Sequence, residues 1–306
     1  MINSIIRFPN LGLKFSNLPT GFKVFGIEIA IYGLIITIGI FAGYSIAQWM
    51  VKKTGQDTEV YLDFALYAII ASVICARIYY VVFAFDEFKD EWIQVFNIRS
   101  GGMAIYGAII GAIITAIIYT KVKKQSFWLM ADTGSIGLIT GQIIGRWGNF
   151  FNREAFGKYT NNIFAMQLNV NEVGYEFRAP ITWLEPKFAG KEKAFERIMK
   201  IRENIIDLNG ASYIQVHPTF LYESLWNLIL LIILIIYTKH KKFDGEVMFL
   251  YLAGYGLGRV WIEGLRTDQL FLWNSPIAVS QLLSLILVIV SILVVIYKRY
   301  QLKKAK

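Results

Sequence analysis

Cysteine is almost absent from this chain. Cys75 is the only one among 306 residues, so no disulfide closes within the chain and no thiol pair is on hand for a metal. Histidine is nearly as scarce: His217 and His240 stand far apart in sequence, and without a cysteine cluster they exclude the usual zinc sites. Charge is thin as well, at 17% of residues against 56% hydrophobic ones, with a mean hydropathy of +0.48. Those proportions exclude an ordinary soluble domain and mark an integral membrane protein. No internal repeat is visible, which argues against a transporter built from inverted halves. Met1 to Lys23 offers no continuous apolar region of the kind a cleavable signal peptide needs.

What the chain has in abundance is apolar runs able to cross about 30 Å of hydrocarbon at about 1.5 Å per residue. Seven stand out, at 25–51, 62–85, 102–120, 134–151, 219–238, 246–262 and 276–297. They predict an all-α integral membrane protein with seven transmembrane helices. Basic residues follow every other run: Lys52 and Lys53, then Lys121, Lys123 and Lys124, then Lys239, Lys241 and Lys242, then the tail 298–306. The opposite short loops hold only Lys89, Arg99 and Arg266. By the positive-inside rule the N-terminus is outside and the C-terminus cytoplasmic. The polar stretch 152–216 is then a small extracytoplasmic subdomain between spans four and five, with 191–208 expected to be helical and a turn at Asn209-Gly210. The expected organisation is an interfacial leader 1–24, spans 25–151, the subdomain 152–216, spans 217–297 and a basic cytoplasmic tail 298–306. The net charge of +9 is no nucleic-acid signature, because the basic residues sit in short clusters between apolar runs. Anionic headgroups of membrane lipids are the expected partners of those clusters.

Chemistry concentrates where the fourth run ends, between Gly145 and Gly157. An ionisable group beside hydrocarbon costs about 2.5–3.5 kcal/mol, so it normally faces a polar cavity or a partner. If the helix continues, Arg146, Asn149 and Arg153 fall at i, i+3 and i+7 and share one face. Three donors on a face suit an anionic oxygen, the Arg fork holding a phosphate in two hydrogen bonds. Glu154 is available to orient an arginine, and Gly137, Gly141 and Gly145 let this helix approach its neighbours. A second concentration lies in the sixth run, where Tyr255, Arg259, Glu263 and Arg266 recur at steps of four, four and three and form one net positive stripe. A third is 101–111, with Tyr106 early in span three. His217 precedes Pro218 at the start of span five, near the outer surface. Read from the residues alone, arginines and carboxylates converge toward the outer leaflet, in a cavity shaped for an anionic amphiphile. A one-sided reaction site, an anion channel or carrier, and a lipid-binding scaffold all remain open at that point, the one-sided placement favouring the first.

The stretch from Gly145 to Gly157 resembles the signature of the prolipoprotein diacylglyceryl transferase family, Gly-Arg-x-Gly-Asn-Phe-x-Asn-x-Glu-x-x-Gly. Gly145, Arg146, Gly148, Asn149, Phe150, Asn152, Glu154 and Gly157 fill every fixed position. Arg259 and Glu263 match positions of the family's second motif, and Tyr32 with Gly33, Arg77 with Tyr80, and His217 through Glu223 extend the likeness. Many family members carry histidine where this chain has Tyr106; other branches resemble this chain in having tyrosine. The resemblance is silent on 158–210.

That resemblance implies transfer of the diacylglyceryl group from phosphatidylglycerol to the lipobox cysteine thiol in the signal peptide of a prolipoprotein. The products are a thioether and glycerol phosphate, in the first step of lipoprotein maturation at a bacterial plasma membrane. Negative charge then grows on the leaving phosphate, where Arg146 and Arg259 are expected to stabilise it, each by about 3–4 kcal/mol. Glu154 and Glu263 join them as expected catalytic residues. Tyr32, Arg77, Asn149, Asn152, Gly157, His217, Tyr255 and Arg266 are expected to bind substrate. A tyrosine hydroxyl, with a reference pKa of about 10, is a poorer base at pH 7 than histidine at about 6.5. Tyr106, Glu263 and His217 all stay open as receivers of the thiol proton. A thiol with a reference pKa of about 8.5 ionises more readily beside a cation, so neither metal nor diffusible cofactor is expected.

Overall fold

A computed structural model describes residues 5–89, 91–98, 101–188, 190–272 and 278–305. Arg99, counted above for topology, and Pro276, the expected start of the last span, lie outside the described residues, as do Met1 and Lys306. Each expected run contains a long helix: α1 Ile31–Lys53, α2 Thr58–Phe83, α3 Ile105–Val122, α4 Phe127–Asn152, α7 Thr219–Tyr237, α8 Glu246–Glu263 and α9 Val279–Lys304. Two shorter helices, α5 Ile181–Lys187 and α6 Glu192–Arg202, lie between α4 and α7. Among the described residues, five helices are long and apolar enough to cross a membrane, namely α1, α2, α3, α7 with its one-turn extension, and α9. Their faces are inverted relative to a soluble bundle. On α2, Ile70, Ile74 and Ile78 are more than half exposed while Arg77 is buried, as expected where the surroundings are hydrocarbon.

The chain divides into two compact units. One comprises Tyr44–Gly134, the other Met1–Gly43 with Ser135–Lys306. In the first, α3 packs along α2 by setting Gly107 and Gly111 against Ala71, Cys75 and Ala76. Asp57 caps α2 by accepting from the Glu59 amide at 2.9 Å, and the Tyr119 hydroxyl donates to the Val60 carbonyl at 2.9 Å.

In the second unit, α1 and α4 cross where both backbones are bare. A Cβ added at Gly43 would stand 2.5 Å from the Gly137 carbonyl oxygen, and one at Gly39 3.1 Å from that of Gly141. The expected close packing through Gly137 and Gly141 is therefore met, with Gly145 facing Ile36. The helices α7 and α8 form an antiparallel pair in which the Trp226 indole N–H donates to the Gly254 carbonyl at 2.9 Å. Behind α8, Gly256 lies against Ser284 and Val288 of α9.

An antiparallel sheet was not foreseen by the helical reading. Its five strands run in the order β2 (Leu13–Ser16), β1 (Ile5–Phe8), β5 (Met166–Asn169), β7 (Ala211–Val216), β6 (Ile206–Leu208). The leader and the 152–216 stretch thus share one sheet, with Arg7 opposite Gln167. A separate hairpin, β3 (Gly21–Val24) and β4 (Ile27–Ala30), precedes α1. Helix α6 ends at Arg202, so the expectation of a helix through Leu208 is corrected. Asn209 and Gly210 both take positive φ, 52° and 76°, and this turn folds 206–208 back onto 211–213 as a hairpin. Ile6, Leu168, Ile201, Ile214 and Val216 are fully buried in a core that Phe150 of α4 and Phe220 of α7 also enter. The sheet is thereby packed onto the last turn of α4 and the first turn of α7.

Candidate active site

Glu223 is the only charged residue in the apolar run 219–238, and it is 4% exposed. A carboxylate so placed needs charged or hydrogen-bonding partners, since burying it alone is prohibitive. Its Oε2 lies 2.6 Å from Arg146 Nε on α4, and its Oε1 2.7 Å from Arg259 Nη1 on α8. The other terminal nitrogen of Arg259 meets Glu263 Oε2 at 2.6 Å, one helical turn on. Arg266, just past the end of α8, stands 3.9 Å from both Glu223 Oε1 and Glu263 Oε2. It is locked to Asp268 by a two-pronged pair, Nε to Oδ1 at 2.9 Å and Nη2 to Oδ2 at 2.6 Å. Burial works against the Arg266 charge, but the Asp268, Glu263 and Glu223 carboxylates outweigh it and push its pKa up. Burial likewise opposes the Asp268 charge, yet Arg266 holds that carboxyl below its usual range.

Two helices, α4 and α8, thus bring Arg146, Arg259 and Glu263 together around Glu223 of a third, α7. Glu223 at the centre is the residue sequence reasoning did not single out for the site, although a lone carboxylate in an apolar helix was the signal. The stripe on α8 was read as net positive; with Glu223 and Asp268 added, the cluster holds three arginines against three carboxylates and is balanced. The terminal nitrogens of Arg146 have no partner among the described residues, its pairing being through Nε. They are donor capacity that the cluster leaves unused.

The face expected to run on to Arg153 does not form. Helix α4 ends at Asn152, and Arg153 takes φ of 53°, which turns it away. Its guanidinium is buried, lies 3.3 Å from Glu172 and donates to the Phe151 and Leu18 carbonyls. Burial lowers its pKa, with Glu172 opposing that effect. Glu154, expected to orient an arginine, instead accepts from Asn149 Nδ2 at 3.0 Å and Asn152 Nδ2 at 3.3 Å. It is an exposed tether for the two asparagines.

Gly157 sits where three segments meet. Its amide donates to the His217 carbonyl at 2.9 Å, it bridges to Arg266, and the Lys158 amide donates to the Leu265 carbonyl at 2.7 Å. A Cβ here would lie 2.8 Å from His217 Cβ and 3.0 Å from the Leu265 oxygen, so only glycine lets the strands close. His217 belongs to a neighbouring polar group. Its Nδ1 is 3.1 Å from the Tyr222 hydroxyl and 3.4 Å from Asn162 Nδ2, which also donates to that hydroxyl at 3.1 Å. Burial, helped by Lys158, lowers the His217 pKa and favours a neutral imidazole. Tyr32 of α1 covers Gly148, whose added Cβ would meet the ring at 2.7 Å. Tyr255 stacks on Tyr251 one turn before Arg259, at 5.8 Å.

Arg77 and Tyr106 belong to the other unit. Arg77 is 7% exposed and donates to the carbonyls of Val95 at 2.8 Å, Gly101 at 2.9 Å and Gly102 at 2.8 Å, and also to that of Gln94. Its hydrogen bonds hold the segment between α2 and α3. Tyr106 is 43% exposed and leans on Tyr79 at 6.4 Å. Among the described residues no group of three metal-binding side chains occurs.

The model of the family described as prolipoprotein diacylglyceryl transferase matches residues 19–297. Among curated proteins, a phosphatidylglycerol–prolipoprotein diacylglyceryl transferase of Oceanobacillus iheyensis is 39% identical over 88% of this chain and 83% of its own length. Proteins of the same name from Listeria monocytogenes and Clostridioides difficile are 40% and 38% identical. The first match covers 92% of this chain and 90% of the relative, the second 90% and 93%.

Proposed function

The chain belongs to the prolipoprotein diacylglyceryl transferase family, and from that premise we infer how the arginine cluster serves the reaction. The protein is an enzyme that transfers the diacylglyceryl group of phosphatidylglycerol to prolipoproteins. In our reading the acceptor is the lipobox cysteine thiol. Its sulfur forms a bond to the terminal glycerol carbon of the diacylglyceryl group, the C–O bond to phosphate breaks, and glycerol phosphate leaves with the electron pair. The proton lost by the thiol balances the charge gained by the phosphate.

The observation that carries this reading is the way Glu223 clamps Arg146 and Arg259. Arg146 spends only its Nε on the clamp, so its terminal N–H groups meet the phosphate oxygens. Each terminal nitrogen of Arg259 keeps a second hydrogen beyond those used on Glu223 and Glu263. Glu223 and Glu263 fix the two guanidinium planes before the charge develops, so the donors need no reorganisation in the transition state. Asn149 and Asn152, tethered by Glu154, orient the glycerol headgroup, and Tyr32, Tyr255 and Arg266 border the lipid. Arg77 keeps its proposed substrate contact, and Tyr106 its proposed catalytic role, on the strength of the resemblance rather than of geometry.

In this reading the chain crosses the membrane seven times, α4 and α8 included, with the N-terminus and the sheet outside, the C-terminus in the cytoplasm of a bacterial cell and the cluster toward the outer leaflet. The support is the alternation of the seven helices and the lysines in or just past the last turns of α1, α3, α7 and α9. The test is incubation of the purified protein with acyl-labelled phosphatidylglycerol and a lipobox peptide, beside a Cys→Ser peptide. Label on the cysteine peptide alone is expected, and is lost in Arg146→Ala. Lipid binding without transfer would overturn the reading in favour of a scaffold or carrier.

A further inference from the structure

Helix α6 lies in the stretch where the family motifs are silent. It is amphipathic, burying Ala194, Ile198 and Ile201 against the sheet. Arg197 sits beside that face and turns instead toward the segment that follows α8. Its Nη1 donates to the Arg266 backbone carbonyl at 2.8 Å and to Gln269 Oε1 at 2.6 Å. Gln269 in turn donates through Nε2 to the Glu263 carbonyl. One guanidinium thus grips the backbone of Arg266 directly and that of Glu263 through a single side chain.

The other side of the same segment is held by 156–158, through the Lys158 amide on the Leu265 carbonyl and the Thr267 hydroxyl on the Phe156 carbonyl at 3.3 Å. Remove the Arg197 grip and 264–269 is fixed from one side only. The Arg266 side chain stands 3.9 Å from each of two carboxylates, looser than the 2.6–2.7 Å pairs that bind Arg146 and Arg259. Its place is therefore set by its backbone and Asp268 rather than by Glu223 and Glu263.

We infer that Arg197 is a positioning residue of the transferase, by which the extramembrane helix α6 fixes Arg266 and the end of α8 for reaction. The inference rests on the reading of the arginine cluster given above. It predicts a defect in the chemical step more than in lipid binding, because the relay ends on Glu263, the partner of Arg259, and a small misplacement of a reacting group costs up to about a hundredfold in rate.

The test uses the full-length protein in nanodiscs containing phosphatidylglycerol, with the lipobox peptide as acceptor. Arg197→Ala is expected to lower kcat about tenfold to a hundredfold while KM for phosphatidylglycerol changes less than about threefold. Arg197→Lys, which keeps a charged donor, recovers most of that loss. Gln269→Ala lowers kcat less, and the double variant is no worse than Arg197→Ala, the non-additivity expected of one relay. Hydrogen exchange, read independently of turnover, speeds up at 264–270 in Arg197→Ala and stays unchanged along α7. Wild-type kcat in Arg197→Ala, or an equal loss from Lys and Ala, overturns the positioning role. Unchanged exchange at 264–270 overturns it even where the wild-type protein fails to transfer, and that failure would count separately against the cluster reading.

Discussion

The α7–α8 pair buries a carboxylate at each end, and the two are treated differently. At the end where α8 begins, Glu246 is fully buried. It accepts from the Tyr237 hydroxyl at 3.0 Å, the Lys242 amide at 2.5 Å and Arg299 Nε at 2.5 Å, while Arg299 also reaches Tyr237. Both its oxygens take aligned hydrogen bonds, and its one arginine is 45% exposed. At the end where α7 begins, Glu223 faces three arginines, and its Oε2, like that of Glu263, is held by charge without an aligned hydrogen bond. The first group is closed around its carboxylate, both oxygens being taken by aligned donors, and the spare N–H groups of Arg299 belong to a guanidinium that is nearly half exposed. The second has N–H groups left over. A buried ion pair is therefore no mark of function in itself; what distinguishes the proposed reactive end is unused donor capacity on arginines that are themselves largely buried.

The contrast breaks most sharply in Glu246→Ala. Removing a fully buried partner strands the Tyr237 hydroxyl and the Lys242 amide, at about 1–3 kcal/mol of stability, the half-exposed Arg299 being screened by solvent. Thermal unfolding is expected to drop accordingly, while turnover per folded molecule stays near the wild-type value. A selective loss of turnover with normal stability would assign chemistry to the wrong end. Arg146→Ala is the complement, with transfer reduced about 100-fold to 1,000-fold, or about 2.7–4 kcal/mol in the barrier. Its unfolding midpoint changes little, since α4 stays pinned by Ser224, which accepts from the Trp147 indole at 3.3 Å and donates to the Ile143 carbonyl at 3.1 Å. Gly157→Ala falls between the two ends in kind, forcing apart the strands that join His217 to Leu265 at about 1–3 kcal/mol. Both midpoint and turnover are expected to fall, and a variant with neither altered would show that the segment can yield.

Helices were legible because each apolar run is long, uniform and punctuated by lysine. Spacing along α8 likewise placed Arg259 one turn before Glu263. Glu223 was visible as a lone charge, yet its role as hub was not, since its partners come from helices 36 and 77 residues away. The sheet was hidden for the same reason. Strand β1 has four residues, and its partner strand β5 lies about 160 positions later, joined to it at a single register pair. Arg153 misled because the helical spacing that carried it stops one residue earlier, at a left-handed conformation arginine seldom adopts. Arg77 matched the family motif, while two of its backbone acceptors, Gln94 and Val95, lie in a segment with no pattern to read.

The smallest effect tests whether the reactive end also responds to pH. Burial and Lys158 depress the His217 pKa, so the folded protein prefers the neutral ring that pairs with Tyr222 and Asn162. Between the folded value and the unfolded value of about 6.5, the unfolded chain binds more protons, and stability rises with pH. Its contribution is complete above about pH 7 and is lost as pH falls through 6.5 toward the folded value. Because the ring is only half buried, solvent screening limits the effect to about a few tenths of a kcal/mol. His217→Gln removes the titration while leaving an amide for the same partners. Unfolding midpoints measured from pH 5 to 8 should fall more steeply with acid in the wild-type protein than in this variant. Parallel curves would mean that His217 is no more burdened by protonation in the fold than in water, and that acid sensitivity belongs elsewhere in the chain.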